Sequence, residues 1–249
     1  MKIPRNKRYD YIIEPKDVDL AGRATMVSIF DYMMRTSHLD SQRHKLGVYQ
    51  IRKQNLAWVI SRAVVEVNTV LRDMDPFKVV TWVSECNRIA CVRNFLMLNA
   101  EGKEIGHAVT QWSMIDFTTR EAVNLLKLPR IIRHLHPEYP TCGLYPKKLH
   151  PLENPDRAIR NEHKVVYSDL DFNGHVNSLK YIQWMLDQMP IEWASNHQLW
   201  RFDVNYIHEM HWGENPYILT QLEGDTTFFE ICGGDGRVAC RARMEWRDF

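Results

Sequence analysis

Apolar positions along the chain follow two rhythms, one helical and one alternating, and the same succession of the two occurs twice. In the second half Val176, Leu179, Ile182, Leu186 and Met189 form a helical stripe that ends at Pro190. Asn177 there, and Thr25 in the first half, are residue types that cap helix starts. Alternating, β-rich stretches follow at about 56–70, 77–86, 89–98 and 104–116, and again at about 199–210, 216–223, 226–232 and 237–248. Short strands at about 9–14 and 163–168 precede the two helices. Asp-Met-Asp-Pro76 and Gly-Glu-Asn-Pro216 turn corresponding corners, while Ala-Glu-Gly102 and Gly-Asp-Gly236 make the later hairpins.

This parallel is a repeat in the residues themselves. Residues 18–33 align without a gap on 170–185, with Asp19 on Asp171, Gly22 on Gly174 and Met33 on Met185. Residues 100–112 align on 234–246, with Gly102 on Gly236, Ala108 on Ala242 and Trp112 on Trp246. One helix followed by a four-stranded antiparallel run, present twice, predicts an α+β chain of two tandem units, each a sheet wrapped around a helix. The boundaries read as 1–135 for the first unit, 136–160 for a linker and 161–249 for the second. Pro137, Pro140, Pro146, Pro151 and Pro155 make that linker extended and stiff.

Composition narrows the classes. Of 249 residues, 45% are hydrophobic and 25% charged, which excludes disordered and fibrous chains. The net charge of +1 argues against a nucleic-acid partner. Yet residues 1–135 hold 21 basic and 14 acidic residues against 11 and 17 in the remainder, so an acidic partner should prefer the first half. Five cysteines form no C-x-x-C pair and indicate neither a disulfide framework nor a metal module. The basic run Met1 to Arg8 lacks a signal-type apolar core, and nothing approaches the roughly 18 apolar residues of a membrane span. The expectation is a cytoplasmic protein without cofactor or metal.

Chemistry is expected where the copies differ. The second reads Asp171-Phe-Asn173-Gly-His175 where the first reads Asp19-Leu-Ala21-Gly-Arg23, so Asn and His occur once. A loop entering a helix offers backbone N–H groups and a positive dipole end to a developing oxyanion. His175 beside it exchanges protons, and Asn173 brings both a donor and an acceptor.

The segment Asp171-Phe-Asn173-Gly-His175-Val-Asn177 resembles the motif of hotdog-fold thioesterases. With two tandem copies the chain is similar to the acyl-acyl carrier protein thioesterases of bacteria and plants, a likeness also carried by Asn55-Leu-Ala-Trp58-Val-Ile-Ser-Arg62, Thr81-Trp82-Val and Ala108-Val-Thr-Gln-Trp112. The resemblance implies a double hotdog that hydrolyses the thioester of acyl-[acyl carrier protein] to a free fatty acid. It implies a site of Asp171, Asn173, His175 and a Glu that falls on Glu209. Plant members carry a Cys after that Glu, and here Met210 removes a cysteine nucleophile, which favours direct attack by water. The alternatives on the same fold are an acyl-CoA thioesterase and a non-hydrolytic acyl- or carrier-binding protein.

Several details of this reading bear on the structure. Strict alternation from Trp200 through Phe202, Val204 and Tyr206 puts Glu209 on the opposite, polar face of its strand, so a bulge or a seam is needed to bring it to the site. Asp19 persists in the silent copy, so Asp171 is expected to be partly a turn acceptor. His208-Glu-Met-His211 lacks the helical spacing of a zinc motif. Trp112 and Trp246 are expected in the core. Met33 and Met34, with Phe30 and Tyr32, are candidates for an acyl pocket. Arg35, Arg43, Lys45, Arg52 and Lys53, or Lys147 and Lys148, are candidates to receive acidic acyl carrier protein. A monomer or a homodimer is compatible with an internal duplication.

Overall fold

The structure, a computed structural model, describes Pro4 and residues 7–248; Met1, Lys2, Ile3, Arg5 and Asn6 of the basic N-terminal run lie outside the described residues. The chain divides into two compact units, Met1–Pro146 and Lys147–Phe249, so the boundary falls inside the proline-rich stretch. No helix among the described residues is long and apolar enough to cross a membrane.

In the first unit β1 (Arg8–Ile12) leads to the long helix α1 (Met26–Arg43) and the short α2 (Val48–Arg52). Strands β2 (Leu56–Val67), β3 (Pro76–Cys86), β4 (Cys91–Asn99) and β5 (Glu104–Asp116) follow, then α3 (Pro129–Arg133). The antiparallel sheet has the order β1-β3-β4-β5-β2. The start of α1 is fixed by Thr25, whose Oγ1 accepts the Ser28 N–H at 3.1 Å. Met26, Ile29, Phe30 and Met33 recur at helical spacing and are buried. Tyr32 meets Phe77 of β3 edge-to-face at 5.0 Å.

The second unit repeats the plan. Strand β6 (Ile159–Glu162) precedes α4 (Ser178–Leu186) and α5 (Ile191–Asn196), followed by β7 (His197–Tyr206), β8 (Tyr217–Glu223), β9 (Thr226–Cys232) and β10 (Val238–Asp248). Its antiparallel sheet has the order β7-β10-β9-β8-β6. Asn177 caps α4 by accepting the Leu179 N–H at 2.9 Å. Each unit is a hotdog, and the chain is a double hotdog of the α+β class.

The proline-rich stretch has a structural task within each unit. In the first, Tyr139 packs on Val80, Trp82, Leu96 and Leu98, and Cys142 and Leu144 pack on Val64, Val92 and Val109. The Cys142 N–H donates to Asn94 Oδ1 at 3.2 Å. In the second, Asn205 of β7 accepts from the Leu149 N–H and donates to the Lys147 carbonyl, while Glu230 accepts from the Leu152 N–H. A strap of extended chain thus satisfies buried polar side chains of each sheet.

Four sequence expectations need correction. The strand expected at 163–168 is instead β6, because the Asp169 carboxylate accepts the Val166 N–H at 2.8 Å and curls Tyr167–Asp169 into a 3-10 turn. The strands expected to reach 70 and 210 end at Val67 and Tyr206. There the N–H groups of Asn68 and Thr69 both turn to the Ile105 carbonyl, and those of Ile207 and His208 both turn to the Ala239 carbonyl. The buried face of α4 is Tyr181, Ile182, Trp184 and Met185, and the helix ends before Met189. Finally, Cys86 and Cys91, opposite each other in the β3–β4 hairpin, are joined in a disulfide, which short-range cysteine spacing gave no reason to expect. Cys142, Cys232 and Cys240 are free thiols.

Candidate active site

The loop between β6 and α4 is held by one carboxylate. Asp171 Oδ1 accepts the N–H groups of Asn173 at 2.8 Å and His175 at 3.3 Å, and Oδ2 accepts the Asn173 amide at 3.3 Å. The Asp171 carbonyl accepts the Gly174 N–H, with Gly174 at φ +80°, a left-handed conformation that glycine adopts without strain. Asp19 builds the same turn in the first unit, accepting the N–H groups of Ala21 and Arg23. Asp171 is therefore a turn acceptor, as its persistence in both copies predicts.

The neighbouring segment is brought to this loop by backbone pairing. The Val176 N–H donates to the Met210 carbonyl at 2.8 Å, and His175 bridges to His211 in antiparallel fashion. Because β7 ends at Tyr206, Glu209 escapes the alternation of the strand and turns toward the loop. Its Oε2 lies 3.4 Å from His175 Nδ1. The His211 ring stands edge-to-face on His175 with centroids 4.8 Å apart, and its Nδ1 is 3.3 Å from Glu214. Asn173, His175 and Glu209 are all partly open to solvent. His211 is the neighbour that sequence reasoning missed, because a strand through residue 210 separates it from His175.

The first unit has the same backbone without the chemistry. The Ala24 N–H donates to the Leu71 carbonyl and Arg23 bridges to Arg72, which places Val70 where the second unit has Glu209. Arg23, 7% exposed, ion-pairs with Asp19 at 2.7 Å. Arginine at this position thus fills the spare oxygen of the turn carboxylate that Asn173 contacts in the other copy.

Most backbone N–H groups of this loop are committed within the protein. The N–H groups of Asn173, Gly174, His175, Val176, Asn177, Leu179 and Lys180 all donate within the protein. The turn thus commits these amides, while the N–H of Ser178, the first residue of α4, is not among them.

Cysteine chemistry finds no support in the second unit. Met210 is 1% exposed, and burial raises the thiol pKa of Cys232 and Cys240. Among the described residues two trios offer metal-ligand atoms within 4.8 Å of one another: His175, Glu209 and His211 in the second unit, and Asp40, His44 and His134 in the first.

The first unit holds an apolar cavity lined by Met34, Leu46, Trp58, Val83, Trp112 and Ile131, among others. Met34 is the one acyl-pocket candidate that reaches it, for Phe30, Tyr32 and Met33 are buried in the core. Trp246 is a core residue as expected, whereas Trp112 faces the cavity.

Comparison with known proteins agrees with this architecture. The family model for the acyl-ACP thioesterase N-terminal domain matches residues 5–128, and that for the acyl-ACP thioesterase C-terminal domain matches 152–248. A chloroplastic oleoyl-acyl carrier protein thioesterase of Coriandrum sativum is 30% identical over 210 residues, 80% of this chain and 56% of the relative. A chloroplastic acyl-[acyl-carrier-protein] hydrolase of Cuphea viscosissima is 29% identical over 277 residues, 98% of this chain and 66% of the relative. The chain thus spans 56% and 66% of the lengths of these two relatives. Among solved structures, an acyl-ACP thioesterase from Bacteroides thetaiotaomicron superposes with TM-score 0.88 at 27% identity, covering 97% of this chain and 98% of the other. The 12:0-ACP thioesterase from Umbellularia californica shares the fold with TM-score 0.87 at 21% identity, covering 97% of each chain.

Proposed function

The chain belongs to the acyl-ACP thioesterase family, and from that premise we propose that it hydrolyses the thioester of acyl-[acyl carrier protein] at the Asn173, His175 and Glu209 group of its second unit. The observation that carries this reading is the approach of Glu209 to His175 in the one copy that has both.

In the reaction, water attacks the thioester carbonyl carbon while Glu209 takes its proton. The carbonyl oxygen becomes the oxyanion of a tetrahedral intermediate, and in this reading the Asn173 amide and His175 ring orient it and the water. The carbon–sulfur bond then breaks, the thiolate of the carrier's prosthetic arm takes the proton held by Glu209, and the free fatty acid leaves. Asp171 acts as a positioning residue through the turn it holds. The first unit contributes the apolar cavity, whose lining suits an acyl chain.

Acyl carrier protein is acidic, and the basic first half is the reading's docking face. Lys45, Lys53, Lys147 and Lys148 are exposed, whereas Arg52 lies over the Phe117 ring and Arg43 over Tyr9. The test is a panel of acyl carrier protein thioesters of varied chain length with matching CoA esters. Release of fatty acid from the carrier esters, in preference to CoA esters, supports the reading. Turnover of CoA esters alone, or of none, overturns it.

A further inference from the structure

His211 takes no part in the proposed reaction, yet it stands beside the residues that do. His175 and His211 are partners in an antiparallel bridge, and directly opposite residues of such a pair carry their side chains on one face with Cβ atoms about 4.5–5.5 Å apart. The two rings accordingly meet with centroids 4.8 Å apart. Glu209 Oε2 lies 3.4 Å from His175 Nδ1, and one ligand atom each of His175, Glu209 and His211 falls within 4.8 Å of the other two. At the corresponding bridge of the first unit the partners are Arg23 and Arg72, so this trio belongs to one copy.

Two imidazoles and a carboxylate are the donor set of open zinc sites, in which three protein ligands leave a fourth position to water. Tetrahedral zinc with bonds of about 2.0–2.2 Å holds neighbouring ligand atoms about 3.4 Å apart, and Glu209 and His175 already stand at 3.4 Å. The bridge fixes the backbone of both histidines, so the remaining approach needs only rotation of His211, whose side chain is 54% exposed. Glu214 Oε1 accepts the His211 backbone N–H at 2.9 Å and lies 3.3 Å from its Nδ1. A carboxylate there keeps the ring proton on Nδ1 and leaves the lone pair on Nε2, the arrangement that orients histidine ligands in metal sites. The trio of Asp40, His44 and His134 differs, because Lys7 at 3.2 Å and Arg93 at 2.8 Å already neutralise Asp40 and repel a further cation.

We infer that His175, Glu209 and His211 bind one zinc ion per chain, and that zinc and thioester hydrolysis exclude each other. The binding stands on the geometry alone, whereas its effect on turnover rests on the proposed reaction. A bound ion takes the Glu209 oxygen that accepts the proton of the attacking water and the Nδ1 lone pair of His175. A chain that holds zinc therefore has no free base at the site. Removal of the ion returns both groups to the reaction, so zinc acts as a reversible inhibitor.

The test titrates the whole chain, stripped with EDTA, with zinc by calorimetry and with Co²⁺ as a spectroscopic probe. The expected result is one ion per chain and the strong visible absorption of four-coordinate cobalt. His211→Ala should bind zinc at least about tenfold more weakly, while His208→Ala, which alters a histidine outside the trio, should bind as the wild type does. Turnover of an acyl carrier protein ester should fall about 100-fold or more at saturating zinc and return on addition of EDTA. In His211→Ala the zinc concentration for half-inhibition should rise by the factor that the affinity falls. Absence of one-to-one binding, or equal weakening by His208→Ala and His211→Ala, overturns the site. Turnover that is unchanged or raised at saturating zinc overturns the exclusion. Zinc binding that depends on His211 in a chain that hydrolyses no thioester would sink the proposed reaction and leave the metal site standing, while hydrolysis without such binding would do the reverse.

Discussion

His175 Nδ1 lies 3.4 Å from Glu209 Oε2, although one residue stands in the loop before α4 and the other in the turn after β7. The contact is set by the pairing of Val176 with Met210 and of His175 with His211, so it is a property of the backbone. Glu209→Gln keeps the size of the side chain and removes the base. We expect kcat on an acyl carrier protein ester to fall about 100- to 10,000-fold with the thermal melt unchanged. A loss smaller than tenfold would remove Glu209 from the chemistry.

The two turn carboxylates should differ in what their loss does. Asp19→Ala leaves the buried Arg23 without its ion pair and is expected to cost about 1–3 kcal/mol of stability, discounted because Asp19 is itself about a third exposed. Asp171→Ala removes hydrogen bonds that neutral N–H donors make to a partly exposed carboxylate and should cost about 1 kcal/mol. It should nonetheless lower kcat, because the loop carrying Asn173 and His175 loosens. Denaturant melts and steady-state rates on both variants check the two halves of this statement.

Acid should weaken the first unit in a defined window. The folded pKa of His134 is about 4 against an ordinary value of 6.5, so below 6.5 the unfolded chain takes a proton that the folded one refuses. Stability then falls as pH drops from 6.5 toward 4, by on the order of 3 kcal/mol. Below that, Asp40 adds to the loss, since its folded pKa is lowered and its contribution fades as acid protonates it. Denaturant midpoints measured across this range should slope in the wild type and slope less steeply in His134→Leu, where His44, whose pKa burial also lowers, still titrates.

Docking of the carrier is an electrostatic prediction. Lys45→Glu combined with Lys53→Glu should raise KM for acyl carrier protein esters by about three- to tenfold with little change in kcat, and added salt should shrink the difference. An unchanged KM would move the docking face elsewhere.

Much of this architecture was legible in the residues. Strand β5 was expected at 104–116, after the turn at Gly102, and β9 at 226–232, between Gly224 and Gly233, and both are found there. The caps at Thr25 and Asn177 and the turn role of Asp171 were legible because local side-chain hydrogen bonds leave a local signature. What was not legible depends on contacts distant in sequence. The ends of β2 and β7 are set by carbonyls of Ile105 and Ala239 on other strands. That early ending frees Glu209 from the strand's alternation and brings His211 to His175. The strap over each sheet and the Asp40, Arg93 and His134 cluster likewise join residues that no periodicity connects.

The central claim is that one site, in the second unit, does the chemistry. The direct measurement is turnover of an acyl carrier protein ester by wild type, His175→Ala and Arg23→Ala, each corrected for its folded fraction. His175→Ala should lose about 100- to 10,000-fold, while Arg23→Ala, in the copy with Val70 in place of Glu209, should keep the wild-type rate. Equal and small losses in both variants would contradict the account.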